Sequence, residues 1–398
     1  MFIADKLTTI EEYINVVYLP RKKNELKIST YTRYEGLCVR ITEQLGHIPI
    51  SKLSQAEVYD FYDYLRHTPA GDATFKPLPL CITLAKKLSG TLKETTLLSL
   101  KKGNTVNRNT AVSAAEALNL PINVLFSEKT HHLSDRTIAH HHRLLYAIMK
   151  ETVYDGLVDS NVMDKVRPPK VSADEARCLD REDTTSIIKA LDLYAVSPYK
   201  ELLKLIIYTG MRRGEACGLE YGDIDFNRFT ISIKRSSYYL PKQGIYTDTP
   251  KTRRSCRVVS FGQKVMDIIV SLMKRQGITP DTLKENLNRR IFNYDDGHTI
   301  NPNQLTRYYL KFVTAHDLPK SSVHTLRHTN ASILLSVGTP IQTVSGRLGH
   351  STSEITVNIP KGHTHTLHNN YAISIQKKEP MHLASGSFCI YYYELKAR

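Results

Sequence analysis

Residues 209–219 read TGMRRGEACGL, directly after the apolar run LLKLIIY at 202–208, and set Arg212 and Arg213 where a helix should begin. A helix start carries partial positive charge, so a guanidinium there is electrostatically unhelpful unless it meets an anion. An ordinary helix-end charge is the plainer reading, and Arg213 fits it better, as a surface group or a contact to a phosphate backbone. Arg212 is the one whose position asks for an anionic partner.

The chain as a whole makes a polyanion the natural candidate. Its 398 residues carry 54 Lys+Arg against 39 Asp+Glu, a formal charge of +15. Nucleic acid is the commonest partner for such an excess, although a merely basic enzyme shares the composition. The length allows two or three domains. No stretch has the eighteen or so apolar residues of a membrane span, and acidic residues interrupt the apolar positions of the opening MFIADKLTTIEEYI. The six cysteines (Cys38, Cys81, Cys178, Cys217, Cys256, Cys389) form no CxxC pair, which reads as reduced thiols of a cytoplasmic, nucleoid-associated protein and not as a zinc site or disulfide frame.

Upstream, TTIEEYINVVYL (8–19), STYTRYEGLCVRITEQLG (29–46) and SKLSQAEVYDFYDYLRH (51–67) have helical periodicity. Ser29 or Thr30 is expected to cap the second and Gly46 to end it, and Ser54 with Glu57 forms a capping box for the third. The Pro- and Gly-rich TPAGDATFKPLP (68–79) then marks a boundary. Beyond it, residues 76–129 read as a separate unit of four or five short helices, with turns at SGT, KGN and NLP. One short helix bears Lys93, Thr95, Thr96, Ser99, Lys101 and Lys102, and NTAVSAAEAL packs behind it. This unit resembles the helix-turn-helix of the Cro and phage-repressor type, which implies a second helix presenting those six residues to a DNA major groove. A small Ala-rich bundle is the plainer alternative.

Residues 133–166 add further helices, with Ser134 as a cap and Ile138, His142, Leu145 and Ile148 or Met149 on one face. The run His140–His142 splays over most of a helix circumference and cannot bind one ion, so it reads as surface and groove-facing groups. A charged, Pro-containing linker follows at 169–178. From 179 the pattern is helix, helix, then FTISIKRSSYYL (229–240) and RRSCRVVSF (253–261), which read as a hairpin around DTPKT, then mainly helix to about 358.

Four stretches of this second half share one chemistry: TGMRRGEACGL, DTPKTRRSCRVV, HTLRHTNAS and RLGHSTSEIT. They supply Arg212, Lys251, His324, Arg327 and His350, with no carboxylate cluster for a metal. Guanidinium forks clamp phosphoryl oxygens, a lysine can protonate a departing alkoxide, and imidazoles donate or accept near neutrality. Singly, each has a plainer role: a solvated turn lysine at 251, a core histidine at 324, and a helix-opening residue at 350. His328 is left to the core.

In this order the motifs resemble the tyrosine recombinase (phage integrase) family. The resemblance implies a mainly α protein with a small antiparallel sheet: a helical core-binding domain at 1–68 and 130–168, the helix-turn-helix inserted at 76–129, and a catalytic domain at 179–360. It implies roles for Arg212, Glu215 as the supporting acid, Lys251, His324, Arg327 and His350. It also implies site-specific recombination of double-stranded DNA through a 3′-phosphotyrosyl intermediate, with neither metal nor ATP, by a tetramer on synapsed sites. An accessory DNA-bending or directionality factor is a further expected partner, and a membrane is not. A catalytically dead, sequence-specific DNA-binding protein is the alternative.

One family feature is absent. The nucleophilic tyrosine is expected nine or ten residues after His350, where this chain has Ile359 and Pro360. Residues 361–398 lose amphipathic order and read as an atypical tail. Three explanations stand: a frameshift or truncation near 358, which is preferred; Tyr371 entering from a remodelled tail; or Tyr391, Tyr392 or Tyr393 acting after a longer excursion.

Overall fold

The computed structural model describes residues 8–70, 73–130, 132–171, 178–240, 243–248 and 256–349. The chain divides into two compact units, Met1–Ala173 and Asp174–Arg398.

The first unit is built on one interrupted N-terminal helix and three long ones. α1 (Ile10–Glu12) runs through a π-helical stretch, Tyr13–Tyr18, into α2 (Leu19–Glu25), followed by α3 (Ile28–Leu45), α4 (Gln55–His67) and, after the intervening segment, α9 (Asp135–Tyr154). Capping boxes at Thr9/Glu12 and Ser54/Glu57 open α1 and α4, and Ser134 caps α9. α3 starts earlier than Ser29 or Thr30, with Lys27 at its N-cap and Gly46 at its C-cap. Their apolar faces share one core of Tyr13, Tyr18, Ile41, Phe61, Tyr62 and Leu145. Arg21 and Lys22 of α2 pair with Glu151 of α9 at 3.0 and 2.8 Å, and Arg21 also pairs with Asp155 just beyond it.

The histidine run is placed differently from expectation. His141 and His142 are buried, and His142 Nδ1 lies 2.5 Å from the Tyr62 hydroxyl inside the core. The apolar stripe of α9 is wide enough to include two of the three successive positions, so these rings are core groups and not groove-facing ones.

Between α4 and α9 stands a body with its own core of Phe75, Cys81, Leu88, Leu97, Leu100, Ala111, Ala114, Leu125 and Phe126. It contains β1 (Thr74–Pro77), α5 (Pro79–Leu84) running into a 3₁₀ turn at Ala85–Leu88, α6 (Glu94–Lys101), β2 (Val106–Asn107), α7 (Arg108–Leu118), α8 (Ile122–Leu125) and β3 (Phe126–Lys129). The helices follow the sequence expectation. The antiparallel sheet β2-β1-β3 does not, because its strands are two to four residues long and show no alternation to read.

The second unit centres on α11 (Tyr199–Thr209), whose Leu202, Leu203, Leu205 and Ile206 are completely buried, as an all-round apolar helix requires. Around it lie α10 (Arg181–Tyr194), α12 (Arg213–Cys217), α13 (Gln263–Arg275), α14 (Pro302–Ala315), α15 (Val323–Ser336) and α16 (Ile341–Leu348). The strands correct the expected single hairpin. FTISIKRSSYYL breaks at Lys234–Arg235 into β5 (Thr230–Ile233) and β6 (Ser236–Leu240), preceded by β4 (Ile224–Asp225). β5 pairs with β8 (Arg257–Ser260), Ile231 opposite Val259, while β6 pairs with β7 (Gly244–Asp248), Tyr238 opposite Tyr246. The result is one sheet β4-β5-β8 and a separate two-stranded ribbon.

Candidate active site

The apolar run that forms α11 ends at Gly210, whose left-handed φ of 69° turns the chain sharply. The turn is also crowded: a Cβ on Gly210 would sit 2.6 Å from Asn330 Oδ1 and 2.8 Å from Leu348. Met211 is then buried and Arg212 takes the N-cap position of α12.

Glu215, one turn into α12, is the anion Arg212 meets first. Its carboxylate is 3% exposed and accepts from the Arg212 backbone N–H and Nη1, both at 2.8 Å. Arg257 of β8 grips the same carboxylate with both Nη atoms, at 3.0 and 2.8 Å, and its Nε donates to the Arg347 carbonyl at 2.6 Å. Burial alone would raise the Glu215 pKa; the hydrogen bonds and charge of Arg257, then those of Arg212, outweigh it and hold the group at about 2.

Arg327 completes the cluster from α15. It is 1% exposed and donates to the Gly210 carbonyl at 2.8 Å and the Leu348 carbonyl at 2.6 Å. Arg212 reaches the same end of α16, donating to Leu348 O at 3.4 Å and Gly349 O at 2.8 Å. Two guanidiniums therefore share one helix C-terminus, where exposed carbonyls carry partial negative charge. Burial, and next the Arg212 charge, lower the Arg327 pKa to about 9.

His324 stands one turn before Arg327 on α15, on the same face, with its ring 4.5 Å from that of His328. Its pKa falls to about 4, through desolvation first and then His328, Arg327 and Arg212. His324 keeps solvent access at the rim of the cluster. The imidazole is neutral at pH 7 and can gain a proton once an anion arrives.

Arg212, Glu215, His324 and Arg327 are thus brought together. Arg213 is not hydrogen-bonded into the cluster; its Nη1 donates to Thr306 Oγ1 of α14 at 2.5 Å, so it straps two helices. Lys251, His350 and Tyr371 lie outside the described residues. Arg257 was missed by the sequence reading. A signal existed: it lies two residues before the buried Val259 and so faces inward on β8. Among the described residues no group of three or more His, Cys, Asp or Glu could hold a metal. Three guanidiniums against one carboxylate leave a net charge of about +2 focused on one spot, an arrangement fitted to a phosphoryl group.

Fold and cluster define a helical domain with an arginine-rich, anion-binding centre, and comparison with known proteins gives it a family. Residues 177–359 match the phage integrase family and residues 9–66 the N-terminal SAM-like domain of phage integrases. The chain belongs to the phage integrase family of tyrosine recombinases. It is 31% identical over 183 residues to a tyrosine recombinase XerC-like protein of Caldanaerobacter subterraneus subsp. tengcongensis, covering 42% of this chain and 46% of that relative. The ICEBs1 integrase of Bacillus subtilis is 24% identical, over 57% of this chain and 61% of its own length. The chain spans about half the length of the curated relatives it matches. Among solved structures, the Tn1549 transposon integrase bound to circular intermediate DNA aligns with a TM-score of 0.58 at 18% identity, over 86% of this chain and 92% of that one. A lambda integrase dimer on a COC′ core site aligns with a TM-score of 0.53 at 12% identity, over 92% and 81%. These two likenesses establish the shared fold. No helix among the described residues is long and apolar enough to cross a membrane.

Proposed function

We propose that this chain carries out site-specific recombination of double-stranded DNA, integrating or excising a mobile element by strand cleavage and rejoining. The single observation that carries the reading is the convergence of Arg212, Arg327 and His324 beside the Arg257–Glu215 pair. Arg212, whose side chain is 38% exposed against 1% for Arg327, is the guanidinium that reaches the scissile phosphate. Arg327 supplies fixed charge from below, and His324 donates to a non-bridging oxygen. A tyrosine hydroxyl attacks phosphorus and forms the phosphotyrosyl bond. The 5′-oxygen leaves and takes a proton, for which Lys251 and His350 are the candidate donors. The later attack of a 5′-hydroxyl reverses the step, so the phosphodiester bond energy is conserved without nucleotide hydrolysis.

Tyr371 is the candidate nucleophile, and its assignment rests on sequence alone. The complexes of relatives with DNA, including a lambda integrase tetramer on a Holliday junction, support a tetramer on synapsed sites as the working form. A nicked suicide duplex built on a sequence selected for binding tests the reading. A covalent protein–DNA adduct should form, and Arg212→Ala should reduce its rate at least a hundredfold.

A second reading, a sequence-specific DNA-binding protein without chemistry, is favoured by Ile359 and Pro360 at the place expected for tyrosine. Under it no adduct forms on any substrate while tight, salt-sensitive binding survives Arg212→Ala.

A further inference from the structure

Neither family match includes residues 67–176; within that stretch α9 packs into the core of the matched N-terminal helices, while the body at 73–130 has a core of its own and no assigned role. We infer that it is a second DNA-reading head, which places α6 in the major groove of a duplex tract separate from the one held at the catalytic cluster. This inference stands independently of strand exchange.

Three features carry it. The first is attachment. The chain leaves α4 and returns to α9 through an antiparallel stem, with Pro69 bridged to His132, Leu133 N–H donating to Thr68 O at 3.3 Å, and β1 paired with β3 from Thr74–Lys129 to Pro77–Phe126. The head is thereby held on two strands and not on a single linker, which gives a second contact a high effective concentration once the first is made.

The second feature is the helix pair. The 3₁₀ turn Ala85–Leu88 and α6 are joined by five residues. Within them Gly90 adopts φ 95°, a left-handed value that favours glycine, and Leu92 N–H donates to Leu88 O at 3.1 Å. Leu97 and Leu100 pin one side of α6 to the core. The other side is left to solvent with Lys93, Thr95, Lys101 and Lys102 exposed, while Thr96 and Ser99 are half-buried at its edge. With its side chains an α-helix is about 10–12 Å across, which fits a B-DNA major groove about 12 Å wide. The narrow deep groove of A-form RNA does not admit it.

The third feature is charge. Between 73 and 130 there are eight Lys or Arg (76, 86, 87, 93, 101, 102, 108 and 129) and three Glu (94, 116 and 128), a surplus of five in 58 residues. Positive side chains flank the hydroxyl-bearing face of α6, which is how a groove-reading helix divides phosphate positioning from base contact.

The test uses the full chain and a randomised duplex library. Selection followed by hydroxyl-radical footprinting should show two protected tracts. The variant Lys93→Ala/Lys101→Ala/Lys102→Ala should lose one of them, and the slope of log affinity against log salt should flatten by about 3, roughly one per lost phosphate contact. Thr95→Ala, which leaves charge and core untouched, should alter base preference inside that tract only. One protected tract for the parent chain, or an unchanged footprint and salt slope in the triple variant, overturns the inference. So does preferential retention of structured RNA. The adduct assay on the nicked duplex is read separately: two tracts without an adduct uphold the reading head and defeat strand exchange, and an adduct with one tract does the reverse.

Discussion

Glu215→Gln is the sharpest perturbation of the cluster, because it keeps the side chain's shape while removing the charge and turning one acceptor oxygen into an N–H donor. The carboxylate is 3% exposed and accepts four hydrogen bonds from Arg212 and Arg257. A carboxyl held at about 2 instead of its ordinary 4.5 is stabilised in the folded state by about 3 kcal/mol, at 1.36 kcal/mol per pH unit. Removing one member of a buried ion pair typically costs about 3–5 kcal/mol, so two routes agree. The folded pKa is depressed, so this stability is fully present above pH 4.5 and is lost as pH falls through about 2. In a unit of 225 residues, Asp174–Arg398, each kcal/mol lowers Tm by about 2–4 °C. Thermal unfolding at pH 7 should therefore place the C-terminal transition of Glu215→Gln about 10 °C below the parent. Below pH 3 the gap should narrow, since the parent is losing the same interaction. A drop of under about 2 °C at pH 7, or a gap that does not depend on pH, would refute the claim that Glu215 anchors the arginines as a buried anion.

Three further outcomes follow from the same geometry. Gly210→Ala forces a left-handed backbone onto alanine and drives its Cβ against Asn330 and Leu348, so urea unfolding should show a loss of at least about 2 kcal/mol. Arg212→Lys keeps charge but cannot span Glu215 and the α16 carbonyls at once; adduct formation should fall on the order of a hundredfold with DNA affinity within a few-fold of the parent, measured side by side in gel shift and suicide-substrate assays. His324 should titrate well below 6.5 in the free protein and move upward when duplex DNA binds, which ring-proton NMR on the His324→Asn-assigned spectrum can follow; an unshifted His324 in both states contradicts the cationic setting described here.

The fold was legible wherever one segment carries its own signal. The capping box at Ser54, the Ser134 cap and the apolar run of α11 needed no tertiary information. Legibility failed where partners lie far along the chain. GIYTD at 244–248 is too short to announce a strand, and only β6 makes it one. His142 falls on the apolar face already read in the sequence, but His141 looks polar until the width of the α9 stripe is known. Arg257 is a lone charge in a strand, and its value lies 42 residues back, at Glu215. Arg212, Glu215, His324 and Arg327 were legible for a different reason: they are motif residues, and the fold gathers them.

What the sequence could not give is how the chain tolerates that gathering. Arg212 starts a helix, which is unfavourable by itself, yet the C-terminus of α16 accepts its guanidinium. Gly210 O closes α11 and binds Arg327, while Leu348 O and Gly349 O close α16 and bind Arg327 and Arg212. These carbonyls have no helical partner of their own, so they take the guanidinium N–H groups and set partial negative charge against the crowded cations. Burial first, and the neighbouring cations next, still lower the pKa values of Arg327 and His324. A cluster stabilised by carbonyl dipoles and one carboxylate remains net positive, which suits a further anion such as the phosphate of the proposed function. In the proposed strand cleavage, arginines already held in place direct their charge at a pentacoordinate phosphorus with little reorganisation.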